Sequence, residues 1–390
     1  MQLMKRVICA SAAAVIVTGS AWAKAPDAPE APETNAAQVD VVFVLDTTGS
    51  MGGLIQAAKE KIWAIANTLA LADPAPDIRM GLIGYRDRSD EYITKSTRLT
   101  DDLDAVYTEL MTFDANGGND TPESVNQALH EAVAKMDWRD SDDTYRVIFL
   151  VGDAPPHMDY QDDVKYPESC KRAAEAGIYV NTIQCGTIPE TTPIWREIAA
   201  KAEGRYFRVE QSGGAILTDT PFDEELAALG AKVEGTRYYY GAADVVSENE
   251  ARLDRAEGID SGATMKAKAQ RAFFNSTGAG AKNFYGTQEL VNDYAKGKVD
   301  FDSLNDDQLP EEFRGKSKSE IEVALKEKAT EREALQLQIA ELAKKRQAHI
   351  ENQLKKTELK GKGSLDFGIF DCIKTQAVKA GLEYKGGPAL

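Results

Sequence analysis

Between residues 38 and 230, short apolar runs alternate with longer stretches of helical period. The runs of strand length are VDVVFVL (39–45), IRMGLIGY (78–85), YRVIFLV (145–151), IYVNTIQ (178–184) and RYFRV (205–209). Helical patterns occupy 54–72, 102–113, 122–136, 168–176 and 193–203 between them. Strands that are apolar on both faces and separated by helices imply a parallel sheet covered on both sides. ITKSTRLT (93–100) alternates instead and follows IRMGLIGY closely, so it reads as a hairpin partner at the sheet edge. The pattern predicts an α/β domain over 38–230, with a doubly wound, mostly parallel sheet.

Beyond 230 the pattern changes. Residues 231–310 are irregular and mixed, and 311–390 form a mainly helical C-terminal region. Within it, 317–359 hold no Gly or Pro, and apolar residues at 321, 325, 335, 339, 342, 350 and 354 keep roughly one face. Lys328, Arg332 and Arg346 interrupt that stripe. The interruptions weaken a long coiled coil and favour a helical hairpin arm or a helix docked on the α/β domain.

The amino terminus reads as an export signal over 1–23: a basic head MQLMKR, an apolar stretch, and AWA before Lys24. Residues 24–37, KAPDAPEAPETNAA, read as a Pro/Ala-rich linker. A periplasmic or secreted location is expected. No membrane insertion is expected after signal cleavage, because no later segment offers the ~20 apolar residues of a spanning helix. The formal charge is −17, and removal of the signal with Lys5 and Arg6 makes it more negative by two. So acidic a chain repels phosphate backbones and anionic membranes, which argues against nucleic acid and for metal cations or basic surfaces as partners. Three cysteines remain after the signal, Cys170, Cys185 and Cys372. The number is odd, so at least one thiol is left over. Strand and helix rises differ, which disfavours a Cys170–Cys185 bond between neighbours. A bond from Cys372 to either one, pinning the tail, is an expectation from compartment alone.

In doubly wound sheets, sites form at the carboxyl ends of strands near the switch in strand order. Three polar segments fall there. The first is VFVLDTTGSMGG (42–53), which spaces Asp46, Thr48 and Ser50 two apart. Two readings are open: converging oxygens for a hard cation such as Mg²⁺, or a strand end with Thr48 or Ser50 capping the next helix. The second is NGGNDTPES (116–124), with Thr121 before Pro122, a turn that suits the first turn of a helix. The third is FLVGDAPPH (149–157), where a buried strand ends at Asp153.

Taken together, these segments resemble a von Willebrand factor A (vWA) domain with its metal-ion-dependent adhesion site. That motif is D-x-S/T-x-S, then a distant Thr, then a distant Asp. It is matched here by Asp46, Thr48, Ser50, Thr121 and Asp153 with no departure. The resemblance implies Mg²⁺, or Mn²⁺, with Ser50, Thr48 and Thr121 nearest the ion and Asp46 and Asp153 acting largely through waters and hydrogen bonds. Mostly neutral inner ligands would leave the ion electrophilic toward an incoming carboxylate. GYRDRSDEY (84–92), GDAPPHMDY (152–160), NTIQCG (181–186) and the helical tail after LPEEFRGKS (309–317) resemble bacterial exported vWA proteins.

Around this motif lie secondary candidates. Arg86, Asp87, Arg88, Asp90 and Glu91 read as a solvated turn with internal ion pairs, or else as a specificity rim. His157, Met158, Asp159 and Tyr160 read as a packed loop or as rim contacts. GSMGG lacks the G-x-S-x-G elbow, so Ser50 is a poor nucleophile. The leading expectation is a Mg²⁺-dependent protein-binding or adhesion module of the cell envelope, not an enzyme, whose metal grips an Asp or Glu carboxylate of a protein partner. The alternatives are a scaffold whose helical arm makes the contacts, or a metal-dependent hydrolase; for the latter no spare base stands out.

Overall fold

A computed structural model describes residues 37–118, 120–356 and 363–390. The export-signal and most of the linker readings therefore lie outside the described residues. Strand β1 (Gln38–Asp46) leads through a 3₁₀ turn (Gly49–Met51) into α1 (Gly52–Ala70). Then come β2 (Ala72–Asp73), β3 (Asp77–Tyr85), β4 (Thr94–Thr100), α2 (Leu103–Thr112) and α3 (Val125–Ala134). The order continues β5 (Thr144–Gly152), α4 (Tyr166–Glu175), β6 (Ile178–Cys185), α5 (Thr191–Lys201), β7 (Tyr206–Val209) and α6 (Asp223–Glu234). Helices α7 (Ala243–Gly262), α8 (Met265–Asn275), α9 (Ala281–Tyr285), α10 (Leu290–Ala295), α11 (Lys318–Lys356) and α12 (Leu365–Gln376) follow, with β8 (Glu383–Tyr384) near the end.

The main sheet has the order β4-β3-β1-β5-β6-β7, parallel except for β4, which runs antiparallel to β3 at the edge. The chain leaves β1 first toward β3 and later returns to its other side with β5. The switch in strand order thus falls at β1 and β5, where such folds place their sites. Register brings the ends level: Asp46 pairs with Tyr85 and Leu45 with Val151.

Strand β1 is apolar from Val41 to Leu45 because both faces are covered. Val39, Val41, Phe43 and Leu45 join Ile62, Trp63 and Leu69 of α1, Leu110 of α2, and Leu365, Ile369, Phe370 and Ile373 of α12. Val42 and Val44 join Leu129 of α3, Cys170 of α4 and Trp195 of α5. A helix from the C-terminal region therefore completes one face of the α/β core.

The helices after the sheet share two further cores. Leu226, Leu229 and Val233 of α6 meet Ala269 and Ala272 of α8 and Leu335, Ile339 and Leu342 of α11. Leu290, Val291, Phe313, Ile321 and Leu325 form the other. Helix α11 is accordingly docked along one face. Two of the charges that interrupt its stripe are buried ion pairs: Arg332 grips Glu289 with two contacts of 2.9 Å, and Arg346 Nε donates to Asp223 Oδ1 at 2.7 Å. Lys328 pairs with Glu331 at 3.5 Å along the helix.

The tail disulfide does not form. Cys170, Cys185 and Cys372 are all buried free thiols. Cys170 lies in the core under α3–α5, whereas Cys185 and Cys372 lie in the core under α1 and α12. Burial pushes the Cys170 and Cys372 thiols up to about 12, the mark of inert core cysteines. Apolar packing holds the tail instead, with a buried Lys61–Asp366 pair at 2.9 Å.

Candidate metal centre

Asp46 ends β1 fully buried. Its Oδ1 accepts from the Thr48 amide at 2.9 Å and from Thr48 Oγ1 at 2.6 Å. Thr48 Oγ1 lies 3.5 Å from Ser50 Oγ, and Ser50 reaches solvent. Neither hydroxyl caps a helix, since the 3₁₀ turn and α1 both start without a side-chain cap. The capping alternative is thereby overturned: with Ser50 Oγ next to it, Thr48 Oγ1 turns back to Asp46. Its other oxygen, Oδ2, is buried with no hydrogen-bond partner. An unsatisfied carboxylate oxygen in the interior is costly unless a cation or donor completes it.

Asp153 follows β5, buried, with Oδ2 accepting from Gln211 Nε2 at 2.7 Å and its carbonyl from Thr191 Oγ1 at 2.7 Å. Burial, with a smaller push from the neighbouring charge of Asp153, raises the Asp46 carboxyl to about 7. Gly152 makes this proximity possible. A Cβ there would stand 2.4 Å from Tyr85 Oη and 3.0 Å from Asp46 Oδ2.

Thr121 is exposed, on the loop leading to α3. That loop is laced to both of the others. The Gly49 amide donates to the Gly117 carbonyl at 3.2 Å, and the Asn116 amide to the Thr47 carbonyl at 3.1 Å. On the other side, the Glu123 amide donates to the Pro155 carbonyl at 2.9 Å and the His157 amide to the Glu123 carbonyl at 3.0 Å. Backbone pairing therefore gathers all three segments at the crest of the sheet. The same bridge delays α3 to Val125, so Pro122 does not open the helix as expected. Gly118 closes the approach with φ of 73°; a Cβ would stand 2.9 Å from Thr48 Cβ.

Glu123 is the residue that sequence reasoning missed here. It is buried, its Oε2 has no partner, and burial plus the charge of Asp46 and then of Asp87, Asp90 and Asp153 pushes it up to about 9. It stands in no motif position and reads in sequence as a helix-start residue. The donors gathered here are all oxygens, neutral hydroxyls beside carboxylates, a set that suits a hard divalent cation.

The turn after β3 is only half solvated. Arg86 is buried and donates to the Thr47 carbonyl at 3.2 Å and to the carbonyl and Oδ1 of Asp114 at 2.9 and 2.8 Å. Its guanidinium also lies over the Tyr92 ring, 4.4 Å from the centroid. Asp87 is buried too, while Arg88 and Glu91 are exposed and Asp90 half-buried. His157 is buried and stacked on Tyr160 at 4.1 Å, which makes 157–160 a loop packed at its two ends, with Met158 and Asp159 exposed.

Residues 40–217 match the family model of the von Willebrand factor A domain. Among curated proteins, an ariadne-like RING finger protein of Acanthamoeba polyphaga mimivirus is 30% identical over 123 residues, 32% of this chain and 12% of that protein. The alpha-protein kinase vwkA of Dictyostelium discoideum is 32% identical over 123 residues, 30% of this chain and 19% of that protein. The chain thus spans only a small part of the length of these relatives. They come from an amoeba and an amoebal virus, and the likeness to bacterial exported proteins finds no support in them. Among solved structures, the SpRpn10 VWA domain aligns with a TM-score of 0.35 at 14% identity, covering 45% of this chain and 89% of that one. Proximal thread matrix protein 1 of the mussel byssus, with a zinc-occupied MIDAS motif, aligns with a TM-score of 0.34 at 16% identity, covering 44% and 42%. By its family match and its strand order, residues 40–217 of this chain are a von Willebrand factor A domain, a protein-interaction module that is often metal-dependent.

Proposed function

We propose that this chain is a metal-dependent protein-binding module of the cell envelope, gripping an Asp or Glu carboxylate of its partner through Mg²⁺ or Mn²⁺. The observation that carries the reading is the buried Asp46 Oδ2, left without a hydrogen-bond partner beside Asp153 at the switch point of the sheet. Thr48, Ser50 and Thr121 would stand closest to the ion, with Asp46 and Asp153 behind them. Bound there, the ion supplies an electrophilic position to which an incoming carboxylate attaches. Asp46 orients Thr48 through two hydrogen bonds, and Gln211 holds Asp153 in place. The acidic surface repels a partner carboxylate wherever no cation intervenes.

The test is retention of envelope proteins on the immobilised full chain in Mg²⁺. Elution by EDTA, and loss of retention in Asp46→Ala and Ser50→Ala, is the expected result. Retention unchanged in both variants and in EDTA rejects metal gripping. Turnover of an ester or phosphoester that depends on Mg²⁺ and on Ser50 would replace the module with a hydrolase. The scaffold alternative has less to offer, because α11 commits one face to packing inside the molecule.

A further inference from the structure

A second cluster on the same rim uses none of the five motif residues. His157 is buried, yet its Nε2 has no hydrogen-bond partner. Asp87 Oδ2 lies 3.6 Å from that nitrogen and Asp120 Oδ2 lies 3.9 Å from it, both too long for a hydrogen bond. The ligand atoms of the three residues fall within 4.8 Å of one another. We propose that Asp87, Asp120 and His157 form a second divalent-metal site, selective for a borderline transition ion such as Zn²⁺ over Mg²⁺.

The surrounding groups fix each ligand. His157 Nδ1 sits 2.8 Å from Asp159 Oδ1. The Asp159 carboxylate only accepts, so Nδ1 carries a ring proton; in the neutral ring that a metal binds, Nε2 is then the nitrogen whose lone pair faces the cluster. This is the carboxylate–histidine arrangement that orients metal-bound imidazoles. Tyr160 stacks on the imidazole with an interplanar angle of 12° and donates its hydroxyl to Asp87 Oδ2 at 2.8 Å. Ser124 donates to Asp87 Oδ1 at 2.8 Å. Those two bonds aim the carboxylate and leave it lone pairs for an ion.

Nε2 and the two carboxylate oxygens converge with no hydrogen bond between them, a set of ligand atoms that a cation can fill. One imidazole with two carboxylates suits zinc or manganese, whereas Mg²⁺ prefers oxygen alone. The edge of a zinc tetrahedron is about 3.3 Å, given zinc–ligand distances near 2.0–2.1 Å. The 3.6 Å edge from His157 to Asp87 is close to that length, while the 3.9 Å edge to Asp120 is longer, so closure asks movement chiefly of Asp120. Asp120 is exposed and free to supply that movement, and water reaches the site from its side. A bound ion would tie the turn after β3, the loop before α3 and the loop after β5 into one rim.

The experiment is a zinc titration of the EDTA-stripped, dialysed full chain in millimolar Mg²⁺, read by equilibrium dialysis and elemental analysis. One equivalent of zinc is expected for the wild type, retained in Asp46→Ala. Asp120→Ala and His157→Ala are expected to weaken zinc binding by about 100-fold or more, and Asp159→Asn by about 10–100-fold, the range for lost outer partners. Asp120 is exposed, so its variant keeps the fold even if the His157 variant does not. Absence of zinc from the wild type overturns the site and leaves a lone imidazole among acids. Zinc held equally by wild type and Asp120→Ala also overturns it. So does zinc lost in Asp46→Ala but kept in Asp120→Ala and His157→Ala, which places the ion at the five-residue centre.

Discussion

In the helical layer, buried guanidinium groups sit on carboxylates: Arg332 on Glu289, Arg346 on Asp223, and Arg271 on Asp104 and Glu234. At the crest of the sheet, Asp46, Glu123 and Asp153 are buried near one another, and Asp46 Oδ2 and Glu123 Oε2 have no partner. The chain evidently has the means to neutralise an interior acid. That it pairs them in one region and leaves them facing each other in the other marks the crest as a place suited to a cation from solution. Interior charge is tolerated when matched and strongly unfavourable when not.

The contrast breaks most visibly on the matched side. Glu289→Ala leaves the Arg332 charge buried and unpaired, and a loss of about 3–5 kcal/mol is expected, read as a lower urea midpoint. A loss under about 1 kcal/mol would show that the pair does not hold α11 in place. On the unmatched side the sign reverses. Removing an acid should not harm the metal-free chain, so Asp46→Asn keeps or raises its melting temperature. Mg²⁺ at a hundred times its dissociation constant should stabilise the wild type by about 2.7 kcal/mol and leave Asp46→Ala unmoved in a thermal melt. Equal shifts in both would remove the distinction. At the small end is Lys171→Ala, which deletes an exposed pair with Glu175 at 3.9 Å. A change below about 0.5 kcal/mol is expected, and a larger one would mean that surface pairs count here after all.

Much of the α/β region was legible in the sequence because β1, β3, β5 and β6 are buried on both faces and therefore read as apolar runs. The oxygen residues were legible because two-residue spacing after a strand is a local signal. What stayed hidden was tertiary. Glu123 looks like a helix-start residue until Pro155 and Pro156 pair with its backbone strand. Arg332 and Arg346 look like breaks in an apolar stripe, because their partners Glu289 and Asp223 lie far off in sequence. Asp87, Asp120 and His157 come from three loops, and no spacing rule joins them. The export reading pointed toward a bridge from Cys372, yet each thiol lies buried in an apolar core.

Helix α12 has one more consequence, for the order of events in synthesis. Its Leu365 and Ile369 close over Phe43, Leu82 and Val151 of the sheet, and Tyr384 beyond it bonds the Leu69 carbonyl from 315 residues away. A nascent chain that has just completed β7 holds all six strands but not the helix that seals one side. At about 5–20 residues per second, the gap lasts on the order of ten seconds. During that time an apolar window stays open to whatever else is in reach. The same window would reappear in any fragment cut at the end of the vWA domain, so the domain is better studied in one piece with its tail.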